Sequence, residues 1–315
     1  ITSLIKVMYD NNNSFSGGEE VKKLLTVSTI ILLAMVLFAQ SEFMIPLSTA
    51  DFALKGPVKS MKTVYPPSDV DLGEDVVMPA YEVISFDEAG KIVSQISYDK
   101  DGKEINAILY GYDAFGKLSA ISGRENGEEQ IIGELTIEDG KIISIVADEG
   151  EDKSTINMEY DENGRLVAQI ISGMSEGQEI QIAVNMAYDE RGNLIEESMS
   201  MMGMVLSKTV FEYDSNNLKI RELEYMYMFA EPGTEPEPIA SQFEYNEWGD
   251  VFKKISDSFF SDDKEVTVYE YEYDAAGNYT HMTVYFLYSI QDLEKENWKE
   301  LATVESEETR EIEYY

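Results

Sequence analysis

The sequence predicts an all-β protein, a long antiparallel β-meander of about 16–18 strands rolled or twisted as a single sheet, with a short helix near the C-terminus. Three observations carry this. A seven-residue motif, Tyr-Asp-x-x-Gly-(Lys/Arg/Asn)-(Leu/Ile), recurs along the chain, the residues before each copy alternate apolar and polar, and the copies stand one or two strand lengths apart. A self-similar element of this kind defines an architecture before any local propensity is considered.

The copies are FDEAGKI from Phe86, YDKDGKE from Tyr98, YDAFGKL from Tyr112, YDENGRL from Tyr160 and YDERGNL from Tyr188. YDSNNLK from Tyr213, YNEWGDV from Tyr245 and YDAAGNY from Tyr273 follow, and TIEDGKI from Thr136 is a weaker relative. Asp-x-x-Gly reads as a type I turn followed by a left-handed residue, the three-residue hairpin with a G1 bulge. Asn246 in place of Asp and Asn217 in place of Gly obey the same chemistry, since Asn caps turns and tolerates φ > 0. In that register the aromatic faces the residue two after Gly, giving the pairs Phe86–Ile92, Tyr112–Leu118, Tyr160–Leu166 and Tyr188–Leu194. Tyr98 instead faces Glu104. Asp faces the residue after Gly, predicting opposite-charge pairs Asp87–Lys91, Asp99–Lys103, Asp113–Lys117 and Asp161–Arg165.

Period-two alternation runs back from the turns: Ile156, Met158 and Tyr160 share a face, as do Ile182, Val184, Met186 and Tyr188, and Tyr269, Tyr271 and Tyr273. Phe86, Tyr98 and Tyr112 begin motifs 12 and 14 residues apart, so these turns alternate between the two ends of the sheet. Later copies leave room for two strands. The far-end turns are expected at Glu125-Asn126-Gly127, Asp148-Glu149-Gly150, Ser175-Glu176-Gly177, Met202-Gly203 and Asp262-Asp263.

The rest of the chain divides around this repeat domain, residues 81–315. Residues 21–39 have a basic start, an apolar run and Ala39 at a cleavage context, and read as a secretory signal peptide. The apolar run Leu24–Ala39 falls short of the roughly 20 residues of a spanning helix. Residues 1–20 read as upstream or disordered sequence, with Val21 as the start. Residues 40–80 supply a first strand, Val58–Tyr65, whose flanking Pro57, Pro66 and Pro67 suit an edge, and then a polar loop. Residues 230–239 form a Pro- and Glu-rich interruption. Ile290, Leu293, Trp298 and Leu301 mark a short amphipathic helix, placed to cover a sheet edge before a last strand, Glu308–Tyr315.

The chain holds 61 acidic and 24 basic residues, a net charge of −37, which argues against nucleic acid and anionic membrane surfaces as partners. It has no cysteine, hence no disulfide and no thiolate metal site. The Asp69–Asp75 acidic loop departs from the EF-hand pattern, with Gly one place early and Ala80 in the twelfth position. The single histidine, His281, would have to carry any Ser-His-Asp chemistry, and no Gly-x-Ser-x-Gly element accompanies it. Glu270/Glu272 could serve glycoside hydrolysis, yet such pairs arise by chance in so acidic a chain. Met199, Met201, Met202 and Met204 have the softness of a Cu(I) site and equally the look of an apolar turn. No catalytic, cofactor-binding or metal residue is assigned.

On these motifs, residues 54–315 resemble the YD (Rhs-type) repeats of secreted and surface-exposed bacterial proteins. The Gly56-x-Val58-Lys59-Ser60 segment together with the repeats is similar to secreted proteins of Bacteroidetes-type bacteria. The resemblance implies β-strand repeats and export, and supplies no catalytic residue. Large Rhs proteins wind such repeats into a closed cocoon around a toxin; this chain has fewer repeats and no toxin-like segment. The expected function is a secreted, periplasmic or cell-surface repeat protein, not an enzyme and without cofactor. It would bind an extracellular or cell-envelope partner, with glycan as a ligand class, and would not insert in membrane after signal cleavage. The alternatives are an outer-membrane β-barrel, for which strands of seven to nine residues are short and Lys253-Lys254 would put a charge on each face, and a hydrolase using acidic side chains.

Overall fold

The computed structural model describes residues 48–66, 79–125, 128–130, 134–149, 152–175, 178–231, 233–258 and 263–315. The signal-peptide segment, residues 1–20 and the Asp69–Asp75 loop lie outside them. Nineteen strands follow in order. They begin with β1 (Val58–Val64), β2 (Tyr81–Phe86), β3 (Ile92–Tyr98), β4 (Glu104–Tyr112), β5 (Leu118–Glu125), β6 (Glu128–Gln130) and β7 (Glu134–Glu138). Next come β8 (Lys141–Glu149), β9 (Asp152–Tyr160), β10 (Leu166–Ser175), β11 (Gln178–Tyr188), β12 (Leu194–Met201) and β13 (Met204–Tyr213). The last are β14 (Lys219–Tyr225), β15 (Ile239–Tyr245), β16 (Val251–Asp257), β17 (Lys264–Tyr273), β18 (Tyr279–Leu287) and β19 (Thr303–Tyr314).

All register pairs are antiparallel, and consecutive strands are neighbours, as a meander requires. The sheet does not end at β1. Met61 pairs with Ile84 of β2 on one side and with Ile312 of β19 on the other. The expected edge strand is therefore interior, and the first and last strands close the sheet into a nearly complete barrel. A closed ring of antiparallel strands needs an even number of lanes. Here β6 pairs with β5, β7 pairs with β8 and touches β5, and both run toward the same rim. They are two pieces of one lane, which turns nineteen strands into eighteen lanes.

The turns after β2, β4, β7, β9, β11, β13, β15 and β17 gather at one rim, the turn rim. In the Asp-x-x-Gly copies one Asp oxygen does the capping, and Asn246 Oδ1 does so after β15. Asp161 Oδ1 accepts from Asn163 N–H and Arg165 N–H at 2.9 Å each, and Gly164 N–H donates to Asp161 O at 2.9 Å. These donors, Arg165 N–H foremost, hold the Asp161 carboxyl below the usual carboxylate range. Asn217 takes the glycine's place with φ 65°. The TIEDGKI copy differs: Asp139 and Gly140 both have positive φ, 52° and 80°, so it is a two-residue type I′ turn. The four aromatic pairs form as the motif predicts, and Tyr98 faces Glu104. Each strand leaving a turn at this rim also carries a second bulge three residues after the glycine position, at Val93, Ser119, Ile143, Val167, Ile195, Ile220, Phe252 and Thr280. A bulge bends its strand and sharpens the twist, so the same defect repeated around the rim curls the sheet until its ends meet.

Neighbouring hairpins are cross-braced. Five motif tyrosines, Tyr112, Tyr160, Tyr188, Tyr213 and Tyr245, donate their hydroxyls to the carbonyl two residues after the previous turn's glycine position. The bonds include Tyr112 to Ile92 O (2.8 Å), Tyr160 to Ile142 O (3.0 Å), Tyr188 to Leu166 O (2.8 Å) and Tyr213 to Leu194 O (2.8 Å). The cation of the previous turn lies over that same ring: Lys91 over Tyr112, Lys141 over Tyr160 and Arg165 over Tyr188, at 4.7–5.2 Å from the centroid. This corrects the charge pairing expected within a turn. Asp161–Arg165 forms, at 2.7 Å, but Lys91 Nζ reaches Gly116 O and Lys117 Nζ reaches Asp139 of the next turn.

The C-terminal apolar residues form two one-turn helices, α1 (Ile290–Leu293) and α2 (Trp298–Leu301). They lie on the outer face of β17 and β18, where Trp298 meets Tyr285 edge-on at 5.4 Å and Lys299 pairs with Glu270. They cover no free edge, because β1 occupies it. At the turn rim, residues Ser48–Gly56 cross the barrel mouth. Phe52 packs on Phe86 at 5.9 Å, and Lys55 N–H donates to Asn278 Oδ1 at 2.7 Å.

Gly192 has φ +90° and open space around it, so its requirement is conformational alone. Gly192→Val should destabilise by about 1–3 kcal/mol while Gly192→Asn stays close to the parent, read as melting temperature. Gly164→Val, at φ +81° with Lys141 Nζ 2.8 Å from the new Cβ, should lose at least as much. Equal melting temperatures for parent, Asn and Val variants would overturn the turn assignment. Tyr188→Phe removes one brace and should lose about 1 kcal/mol without changing the fold.

Candidate functional site

The bulges decide which side chains enter the barrel. Following the register from one ladder to the next, one face carries Val58, Met61, Ile84, Phe86, Ile92, Tyr110, Leu118, Ile142, Met158 and Leu166, all buried in one cluster. That is the interior face, and over β1–β11 it is mainly apolar. From β12 to β19 the same face changes character. It carries Glu197, Ser207, Thr209, Lys219, Glu222, Glu224, Lys254, Glu265, Glu308 and Arg310, interleaved with Tyr269, Tyr271, Tyr273 and Tyr279. Mid-strand interior residues such as Ile121, Ile171 and Tyr269 are only half-buried, so water reaches this wall.

Rows across the strands set the geometry. Glu197 of β12, Thr209 of β13 and Glu224 of β14 stand in one row, with Met186 and Ile239 flanking it. Phe211, Glu222, Ser241 and Ser256 form the row on the turn-rim side, and Met199 and Ser207 the row below. Lys219 Nζ donates to Glu222 Oε2 at 2.8 Å and sits over the rings of Phe211 and Phe243 at 5.1 and 4.6 Å. Glu197 is 7% exposed; burial first, and the Glu222 charge second, push its carboxyl up to about 7. Glu224 is raised for the same two reasons. Ser207 is 5% exposed and its Oγ has no hydrogen-bond partner. A second polar group lies nearer the closure, where Arg310 stacks on Tyr279 at 3.8 Å and donates to Glu308 at 2.6 Å.

The residues singled out from sequence do not converge. His281 faces outward, its ring between Thr309 and Thr283 hydroxyls at 3.1 and 3.3 Å. Glu270 and Glu272 also face outward, the former paired with Lys299. Met199 is buried and Met201 half-buried inside, whereas Met202 and Met204 are exposed at a tight turn, Met202 with φ 51°. Tyr269, Tyr271 and Tyr273 line up on the interior at 6.4 and 5.8 Å between successive rings. Two of their hydroxyls are committed, Tyr271 to Val251 O and Tyr273 to Asp250 Oδ2, at 2.8 Å each. Of the lysine pair, Lys253 faces out to Glu244 and Lys254 faces in beside Phe243. Among the described residues, no group of three His, Cys, Asp or Glu is arranged to hold a metal, and no helix is long and apolar enough to cross a membrane.

The carboxylate group on β12 and β14 escaped sequence reading because of Ile220. That residue is the bulge after the Asp214–Asn217 turn, and it shifts the alternation by one place. Without it Glu222 and Glu224 would face water; with it they face the interior. The signal was present in YDSNNLK, where Lys219 takes the position that Leu or Ile holds in the better copies.

No family model matches the chain, and no curated protein matches it. Solved structures do. A porin-like protein from Bacteroides uniformis aligns over 82% of this chain and 98% of its own, at 11% identity and a TM-score of 0.43. The Tc holotoxin pore of Photorhabdus luminescens aligns over 71% of this chain, at 14% identity and a TM-score of 0.36, and TcdB2-TccC3 over 71%, at 14% and 0.38. This chain spans 13–14% of the length of those toxin chains.

A raised carboxyl makes stability depend on pH in a definite direction. Glu197 binds its proton more tightly folded than unfolded, from 4.5 to about 7, so its contribution is full below pH 4.5 and is lost as pH rises through 7. Glu197→Gln should therefore match the parent at pH 4 and exceed it at pH 8, by no more than roughly 3 kcal/mol. Urea unfolding at pH 4, 6 and 8 measures this. A constant difference at all three values would contradict the burial of that carboxyl.

Proposed function

We propose that the chain is an exported, non-enzymatic YD-repeat barrel that presents a binding surface to an extracellular or cell-envelope partner, with glycan as the ligand class. The observation that carries this reading is the half-buried interior wall of β15–β19. Tyr245, Tyr271, Tyr273 and Tyr279 are held by hydroxyl bonds to neighbouring strands and Tyr269 stacks on Tyr271 at 6.4 Å, which leaves ring faces fixed and part of their surface open to water. A wall held in place before binding loses little side-chain entropy when a sugar stacks on it. The apolar run of residues 21–39 supports export. A glycan array combined with pull-down from envelope fractions should recover a ligand, and Tyr269→Ala should weaken it. Failure of both experiments to find any partner would overturn the reading.

The outer-membrane barrel is the second reading, favoured by the even lane count and near closure. Charge on the outward face weighs against it: Lys59–Glu313 and Lys62–Glu311 pair there, at 2.7 and 3.1 Å, in neighbouring lanes. Lipid-facing charges at mid-strand cost about 2–4 kcal/mol each. Extraction that requires detergent, together with heat-modifiable migration on a gel, would reverse the preference. Turnover of a glycoside abolished by Glu197→Gln or Glu222→Gln would instead establish a hydrolase.

A further inference from the structure

We propose that the interior wall of β12–β14 is a binding site for a primary ammonium group, with Glu222 and Glu197 as its carboxylate partners and Ser207 as a hydroxyl acceptor. The site is separate from the tyrosine wall and stands whether or not that wall binds glycan.

The first support is unmet hydrogen-bonding capacity. Ser207 Oγ is buried without a partner, and the largely buried Glu197 carboxyl stands on the same face one residue row away. A buried polar group left unpaired is costly, and one that stands a single residue row from a buried carboxyl marks a place where a ligand completes the bonding. The second support is charge. The groups facing Glu197 are Tyr188 and Met186 from β11, Thr209 and Phe211 from β13, Lys219, Glu222 and Glu224 from β14, and Lys254 from β16. Three carboxyls stand against two lysines. One lysine is held by Glu222 and two phenylalanine rings, and the other lies over Phe243 at 5.6 Å. Full ionisation leaves an uncompensated negative charge beside the buried Glu197, which a neutral ligand would not relieve. An ammonium group brings one positive charge and three N–H donors to match carboxylate and hydroxyl acceptors. Carboxylates at Glu197 and Glu224 lie two strands apart, about 10 Å, so the site also accepts a second ammonium on a short spacer.

Because Glu197 holds its proton near neutrality, the ammonium must displace it, and the proton passes to solvent. Binding is therefore tighter at pH 8 than at pH 5.5 and releases protons between them. Calorimetry with putrescine and with a glucosamine trimer tests this, the trimer of N-acetylglucosamine serving as the neutral control. Putrescine should bind at pH 8 and weaken by at least about tenfold at pH 5.5, whereas the trimer, whose amines lose their protons near neutrality, should bind best at the intermediate pH of 6.5. At pH 6.5 the observed heat should change with buffer ionisation enthalpy. Glu222→Gln should weaken both by about tenfold or more, and Lys219→Met, which removes the resident cation, should tighten them. If Glu222→Gln fails to fold, Glu224→Gln should show a loss of the putrescine advantage over butylamine. Putrescine binding alone identifies free polyamines as the source, and trimer binding alone identifies amino sugars. No heat from putrescine at pH 8 together with none from the trimer at pH 6.5, or equal affinities in parent and Glu222→Gln, overturns the proposal. Binding of the N-acetylated trimer in a pH-independent way reports on the glycan reading alone.

Discussion

An antiparallel sheet has two exposed edges unless its first and last strands can pair, and this molecule depends on that pairing. Val58–Val64 and Thr303–Tyr314 come from opposite ends of the described chain and share a ladder interrupted by a single bulge at Lys59. Their contact is sealed at the turn rim by Tyr314, which bonds Asp274 and Asn278, and by Tyr315, which reaches Phe86 O at 2.6 Å. Without this lane the repeats would form a curled sheet with two free edges, each a template for aggregation. With it, every hairpin has neighbours on both sides, and the tyrosine brace of one repeat reaches the strand of another.

The closure also explains the motif. Three of the five consensus positions serve a partner outside their own turn. Tyrosine bonds the preceding hairpin, the cation after glycine covers the next tyrosine, and the aliphatic residue enters the interior while its carbonyl accepts the next hydroxyl. Only Asp and Gly act locally. A repeat of this kind has coupled nearest-neighbour energies, and isolated hairpins would lose most of their reason to fold.

Much of this was legible from the chain itself. Turn type, the face of each aromatic and the pairing of Tyr160 with Leu166 all followed from local chemistry, because hairpin register is fixed by loop length. What was not legible is long-range or depends on one misplaced residue. Pro57 and Pro66 looked like edge markers because proline lacks a donor, yet both stand just outside the ladder, and Pro57 O accepts from Tyr315 N–H at 3.0 Å. The second bulges were invisible because Val167 or Ile220 looks like any other strand residue. Each one inverts the inside–outside alternation downstream of it, so the interior could not be listed from periodicity alone.

The repeat is least regular where the interior is most polar. Asn217 for Gly, Leu218 for the cation and Lys219 for the aliphatic residue all fall in one copy. The consequence is concrete: no cation covers Tyr245 from that turn, while Lys219 turns inward onto Glu222 and the two phenylalanines. A wall built only for stability would carry Leu there, as at Leu166 and Leu194, and would have no cause to bury Glu197. Repeats elsewhere in the ring hold the barrel closed, which leaves this copy free to carry buried charge at a cost the remaining lanes can offset.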